Sequence, residues 1–167
     1  MKLRDLENKD AQRMLEWMRD EEVVEKLQAS FSDMTLDDCK KFIDNSRNGN
    51  NMHMAIVNDD DIYVGTVSLK NITGKSAEFA IVISKAAMGK NIANKAMNEM
   101  LKLAFTELEL TDVYWCVAED NLRAIRFYDK NGYRRTNIDS IDVLGNYSTE
   151  QKKRYIWYLV KRNDFLF

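Results

Sequence analysis

Apolar and polar positions along the chain follow two periods, and the switches between them predict the elements. Residues 2–6 alternate as a short strand. Over residues 10–27, Met14, Leu15, Trp17, Met18 and Val24 recur at spacings of three, four and seven between charges, as on one face of a helix. A second helix is predicted from Thr35, whose hydroxyl can cap the free amides of a first turn, with Asp37 and Asp38 favourable at the positive end of the helix dipole. It is expected to end around Asn48-Gly49. The period then drops to two, and residues 52–57, 62–69 and 77–83 read as three successive strands. Connections of hairpin length, 58–61 and 71–75, make them an antiparallel meander. The run Asp59-Asp60-Asp61 has two readings, a divalent-cation site or a solvated hairpin tip. Residues 90–108 form the strongest helical pattern, with Ile92, Ala93, Ala96, Met97, Met100, Leu101, Ala104 and Leu108 in one stripe. A strand at 113–117, a helix at 121–130 and a strand beginning at Tyr133 follow. The last strand, 155–160, is apolar throughout and is expected to be buried on both faces.

No internal repeat and no linker interrupts this order, so a single domain over residues 1–167 is expected. The 167 residues are 45% hydrophobic and 10% aromatic, with six Gly and no Pro, which excludes disordered, collagen-like and linker-rich classes. Twenty-five basic residues against 27 acidic ones leave a net charge of −2, without the footprint of a nucleic-acid or polybasic membrane surface. Cys39 and Cys116 stand far apart, and the only histidine is His53, so no metal-ligand spacing exists; two buried, reduced thiols are expected. The N-terminal sequence lacks an apolar signal segment, and no run approaches the roughly 18 apolar residues of a membrane span, so a soluble cytoplasmic protein is expected.

Chemistry concentrates at residues 84–95, where a strand ends and the longest helix begins. A helix start leaves about four amides unpaired and carries roughly half a positive charge, which suits a phosphate or pyrophosphate. Gly89 permits close backbone approach, and Lys90 and Lys95 raise the local potential. An ordinary strand-to-helix turn is the alternative. Upstream, Glu78 is a lone acid in an apolar strand, sharing one face with Ala80 and Val82.

The stretch Asn121-x-x-Ala124-Ile125-x-x-Tyr128-x-Lys130-x-Gly132-Tyr133 resembles the second acetyl-coenzyme A motif of the GNAT superfamily of N-acetyltransferases. Residues 88–93 resemble its pyrophosphate loop, usually Gln or Arg followed by x-x-Gly-x-Gly or Ala, and the order of elements from residue 2 to residue 160 fits as well. Residues 77–83 are similar to the branch that acetylates ribosomal-protein N-termini, polyamines and aminosugar nucleotides. The resemblance implies an α/β (α+β) fold: one mixed, mostly antiparallel sheet of about seven strands, flanked by helices and splayed at a cofactor cleft. It also implies direct transfer of an acetyl group from acetyl-CoA to a primary amine, on a small molecule or a peptide, with no acyl-enzyme and no metal. Nucleic-acid and membrane partners are not expected, and a homodimer is one assembly it allows.

Residue by residue, the resemblance puts coenzyme against Ile81, Val82 and Ile83, whose strand supplies a carbonyl-polarising amide. It puts the diphosphate against Met88, Gly89, Lys90, Asn91, Ile92, Ala93 and Asn94, and the rest against Asn121, Ala124, Phe127, Tyr128 and Lys130. Two positions depart from the pattern: Met88 stands for Gln or Arg, and Asn91 for Gly. Asn tolerates positive φ better than other side-chain-bearing residues, so Asn91 is expected to hold the turn. Tyr128 is the candidate general acid for the departing thiolate, or else a core aromatic beside Phe127. Glu78 is the candidate general base, directly or through water; it could also only attract the amine, or pair with a lysine. Asn121 reads as a pantetheine contact, a helix N-cap, or both.

Cys116 is expected in the sheet core, His53 as a structural histidine or a substrate contact, and Trp17, Trp115 and Trp157 as core or interface aromatics. Residues 152–154 read as a solvated basic face. Asp33, Asp37, Asp38 and Glu78 could together form an acidic pocket for a polyamine, while residues 10–48 and 138–150 are expected to set acceptor choice. The rival to an enzyme is a non-catalytic module of the same fold that binds CoA or an acyl-CoA.

Overall fold

The computed structural model describes residues 1–27 and 30–166. Its strands are β1 Lys2–Asp5, β2 Met52–Val57, β3 Tyr63–Lys70, β4 Ser76–Ile83, β5 Asp112–Val117, β6 Arg135–Thr136 and β7 Ile156–Lys161. The helices are α1 Ala11–Met18, α2 Glu21–Val24, α3 Leu36–Asp44, α4 Ile92–Thr106, α5 Leu122–Lys130 and α6 Thr149–Arg154. One sheet runs in the order β1-β2-β3-β4-β5-β7-β6. It is mixed: β4 and β5 are parallel, whereas β1–β2, β5–β7 and β6–β7 are antiparallel. The chain divides into two compact units, Met1–Ser68 with Ala80–Met100, and Leu69–Phe79 with Leu101–Phe167.

In the first unit, α1 and α3 bury Met14, Leu15, Trp17, Met18, Cys39 and Ile43 in one cluster with Ala55, Val57 and Tyr63. Its polar groups are paired, as burial requires. The Trp17 indole donates to the Tyr63 hydroxyl at 2.9 Å, which lies 2.7 Å from the Thr66 hydroxyl. Arg4 forks onto Asp10, 2% exposed, with bonds of 2.7 and 2.8 Å, and reaches Asp61 at 3.0 Å, so one guanidinium ties β1, the start of α1 and the β2–β3 hairpin. The Asp59–Asp61 run is therefore a hairpin tip neutralised by cations: Asp61 also receives Lys9 at 2.7 Å, and Asp59 the N-terminal ammonium at 2.5 Å.

Several expected boundaries move for local reasons. The helix expected over 10–27 is two helices, because Asp20 leaves helical angles (φ −85°, ψ 106°) and its carboxylate caps the Glu22 amide at 3.1 Å. The second helix starts as expected, Thr35 and Asp38 forming a reciprocal capping box, but it ends at Asp44. The longest helix runs over Ile92–Thr106 and stops before Glu109, which takes a left-handed φ of 54°.

The second unit is built on aromatic packing. Trp115 stacks on Tyr158 (5.5 Å, 9° between planes) and meets Phe79, Tyr128 and Tyr133 at 5.2–5.6 Å. The strand expected from Tyr133 shrinks to Arg135–Thr136. Gly132 (φ +80°) closes α5, the Tyr133 amide bonds the Tyr128 carbonyl at 3.1 Å, and the Tyr133 ring joins the aromatic cluster. With so short a neighbour, β7 is not covered throughout: Trp157 and Tyr158 are buried, and its other residues are half-buried or exposed. Cys39 is buried as expected, whereas Cys116 is half-buried. Among the described residues, no helix is long and apolar enough to cross a membrane.

Gly65, in the interior of β3, marks a close approach of two backbones within the first unit. A Cβ there would collide with the Val82 carbonyl oxygen and lie 3.0 Å from Ile83 Cα. Gly65→Ala should lower stability by about 1–3 kcal/mol in urea denaturation, because neither backbone can yield as a side chain would.

Candidate active site

In the first unit, the site begins where β4 runs out. Ala80, Ile81, Val82 and Ile83 are four consecutive half-buried apolar residues, a break from the fully buried positions that precede them. The Ser84 amide bonds the Val64 carbonyl at 2.8 Å, and a 3-10 turn follows at Lys85–Ala87. Met88 is extended; Gly89 (φ +76°) and Asn91 (φ +58°) are both left-handed. Asn91 thus takes the conformation expected of the missing glycine. A Cβ on Gly89 would meet nothing within 4 Å, so glycine is required there by φ alone.

The Lys95 amide is the first to close a helical bond, onto the Asn91 carbonyl at 3.2 Å, which leaves the amides of Ile92, Ala93 and Asn94 without intrahelical acceptors. Beside this turn lies a cleft within the same unit, whose lining includes Lys85, Lys90 and Ile92 together with Arg13, Trp17 and Asp20. Lys90 is exposed, while Lys85 pairs with Glu22 at 2.6 Å. Met88 packs its side chain against the first unit's core, so the residue in place of the usual Gln or Arg serves packing.

The second unit holds Tyr128 and Glu78. Asn121 caps α5, its Oδ1 accepting the Ala124 amide at 3.2 Å. Capping places Ala124 and Phe127 half-buried and Tyr128 buried on one face, with Lys130 exposed. The Tyr128 ring is 7% exposed, packed between Trp115 (5.2 Å) and Tyr158 (5.1 Å). Burial, with Tyr133, Tyr158 and Cys116 nearby, holds its phenol well above the ordinary tyrosine value, so it keeps its proton at neutral pH.

Glu78 is 3% exposed and last in the parallel ladder, which pairs Ser76–Asp112, Ala77–Val113 and Glu78–Tyr114, although β4 and β5 continue to Ile83 and Val117. A buried carboxylate needs partners. Lys70 supplies an ammonium at 3.2 Å, Asn71 an amide at 3.4 Å, and Tyr147 a hydroxyl. Lysine pairing, one of the three roles open to Glu78, is therefore present.

The remaining candidates resolve locally. His53 Nδ1 lies 2.7 Å from the Ser68 hydroxyl and its ring packs on Phe42, a structural arrangement. Of the acids considered for a polyamine pocket, Asp38 is spent in the capping box of Thr35, and Asp37 pairs with Lys41 at 3.2 Å. Arg154, in the basic run 152–154, is engaged with Glu119 at 3.0 Å. Among the described residues no cluster of His, Cys, Asp or Glu could hold a metal ion. Lys70, Asn71 and Tyr147 are site residues that sequence reasoning missed. Asn71, with φ +50° at the head of a turn, left a weak signal; Tyr147, 69 residues from Glu78, left none.

A mixed seven-stranded sheet, with a left-handed turn between β4 and the longest helix, is the frame that carries these residues. The acetyltransferase (GNAT) domain family model matches residues 1–134, and the chain belongs to that family. It is 32% identical over 97 residues to a spermidine N(1)-acetyltransferase of Vibrio cholerae, an alignment covering 56% of each chain, and so spans little more than half the length of that relative. It is 22% identical over 129 residues to acetyltransferase PseH of Campylobacter jejuni, covering 77% of this chain and 80% of the relative. The fold is shared with the crystal structure of a Vibrio cholerae spermidine N-acetyltransferase in complex with CoA and spermine: TM-score 0.79, 20% identity, 98% of this chain and 96% of the other.

The left-handed turn makes a direct prediction. Asn91→Val should lower stability by about 1–2 kcal/mol, because a β-branched residue resists positive φ, whereas Asn91→Gly should hold or raise it. Urea denaturation measures this, and titration with CoA should rank the two variants in the same order.

Proposed function

We propose that this protein transfers an acetyl group from acetyl-CoA directly to a primary amine of a small molecule or peptide. The observation that carries the reading is the turn from β4 to α4, where left-handed Gly89 and Asn91 precede three helix-start amides free to meet a diphosphate. Family membership supports the same chemistry. Residues 88–94 bind the diphosphate, Met88 through its backbone alone, and Lys90 adds positive potential. The half-buried strand Ile81–Val82–Ile83 offers backbone amides to the thioester carbonyl, whose developing charge they stabilise. Asn121, Ala124, Phe127 and Lys130 are the second unit's candidates for coenzyme contact, on the strength of their place in the stretch that matches the family's coenzyme motif.

Tyr128 acts as general acid. Its raised pKa keeps the phenol protonated, and in the reaction the proton passes to the thiolate as the carbon–sulfur bond breaks. Glu78 is the acid on the acceptor side. Because Lys70, Asn71 and Tyr147 already surround its carboxylate, its role as base runs through a water that takes the proton from the ammonium and passes its own to the carboxylate. The acceptor is drawn from polyamines, aminosugar nucleotides and protein N-termini; relatives of this chain include a spermidine N(1)-acetyltransferase. A cytoplasmic enzyme without nucleic-acid or membrane partners, with a homodimer as one assembly open to it, completes the reading.

Thiol release from acetyl-CoA, measured with spermidine, a 4-amino sugar nucleotide and an N-terminal peptide, tests it. Turnover on at least one amine is expected; CoA binding without release on any of them would favour the non-catalytic module. Tyr128→Phe should lower kcat about 100-fold or more while leaving the fold intact. The sign of the pH effect follows from the raised pKa: a general acid loses activity only above its own pKa. The alkaline limb due to Tyr128 should therefore lie above the ordinary phenol value of about 10, and it should vanish in Tyr128→Phe.

A further inference from the structure

The segment 142–148 has no secondary structure, yet it is fixed at three points within the second unit. The Leu144 amide bonds the Tyr114 hydroxyl at 3.4 Å, and Tyr114 is the ladder partner of Glu78. The Tyr147 ring sits edge-on to Trp157 (5.4 Å, 80°) and to Tyr155 (6.1 Å, 87°), so its direction is set by packing. The Tyr147 hydroxyl donates to Glu78 Oε1, the oxygen that also receives Lys70. Burial, Cys116 and the Glu78 carboxylate itself hold the Tyr147 phenol far above its ordinary range, so it remains a donor throughout the working pH.

Gly145 shows how tightly the segment is seated. A Cβ there would lie 2.6 Å from the Tyr147 ring and 2.9 Å from Glu78 Oε2. Its φ is not in the left-handed region, so glycine is needed for space and not for conformation. Lys70, by contrast, is 35% exposed at its side chain and can move away when another cation arrives. Of the groups around Glu78, Tyr147 is the one whose ring is clamped by other rings.

We infer that Tyr147 is a positioning residue: its hydroxyl holds the Glu78 carboxylate in the orientation that serves the acceptor amine through the relaying water, with 142–148 as the strap that carries it. The inference rests on the reading of Glu78 as the acceptor-side acid. It gives the otherwise motif-free loop a part in the reaction without contact to acetyl-CoA.

Tyr147→Phe keeps the ring and removes the donor. It should lower kcat/KM for the amine about 10- to 100-fold, the cost of a hydrogen bond to a charged group, and leave KM for acetyl-CoA within about twofold. If Tyr147 works through Glu78, the double variant Glu78→Gln/Tyr147→Phe should be no slower than Glu78→Gln alone. Gly145→Ala, which displaces ring and carboxylate together, should reproduce the loss on the amine side. Wild-type kinetics in Tyr147→Phe, wild-type kinetics in Glu78→Gln, or additive losses in the double variant would each overturn the inference. A crystal structure of Tyr147→Phe supplies a readout independent of turnover: a re-oriented Glu78 side chain supports the inference, and an unmoved one refutes it. Absence of thiol release from the wild-type enzyme with every amine would instead sink the proposed function, and the Glu78 orientation would still decide the role of Tyr147.

Discussion

A helix cannot satisfy the amides of its own first turn, and the turn from β4 into α4 is shaped by that constraint. The chain must leave a strand, reverse, and start a fifteen-residue helix with its first amides open. Two left-handed residues do this, Gly89 and Asn91, with Lys90 between them. What is proposed for the diphosphate follows from the geometry they impose. The amides of residues 92–94 have no acceptor within the helix, the adjoining strand ends in four half-buried apolar residues, and Met88 is turned into the core. Gly65 contributes from β3 by letting the backbone of Val82 come close, so a second glycine, well away from the turn in sequence, fixes the strand that leads into it.

In the second unit the governing cost is that of a buried carboxylate. Glu78 is almost completely covered, and an ionised acid so placed would be untenable without donors. Three segments supply them: the end of β3 through Lys70, the turn after it through Asn71, and the irregular segment 142–148 through Tyr147. Burial acts in the same sense on Tyr128, favouring its uncharged form. Packed between Trp115 and Tyr158, its phenol is held in the neutral form, as the general-acid role proposed for it requires. Two buried groups are thus held by different neighbours, a carboxylate among donors and a phenol among aromatic rings.

How much was legible in the sequence depended on how far apart the interacting residues stood. Thr35 and Asp38, three residues apart, were readable as a cap, and so was Asn121 with Ala124. The left-handed turn at Asn91 followed from the tolerance of asparagine for positive φ at a position where the family has glycine. The break at Asp20 was missed because a charged residue within an amphipathic pattern reads equally well as a helix surface or as a cap. β6 is shorter than the strand expected from Tyr133 because the Tyr133 ring is drawn into a cluster assembled from β4, β5, α5 and β7.

By itself, the sequence determined most of the elements and their order, though not α6 or the break between α1 and α2, together with the turn that opens α4 and membership in a family through motifs whose members lie within a few residues of one another. These are local properties, set by dihedral preferences and by periodicities that span a turn or two. Only the tertiary structure decided what surrounds Glu78 and Tyr128. A partner 69 residues away, a glycine kept for space, and a lysine at the end of a neighbouring strand are brought together by sheet register and loop path, which no short-range pattern encodes.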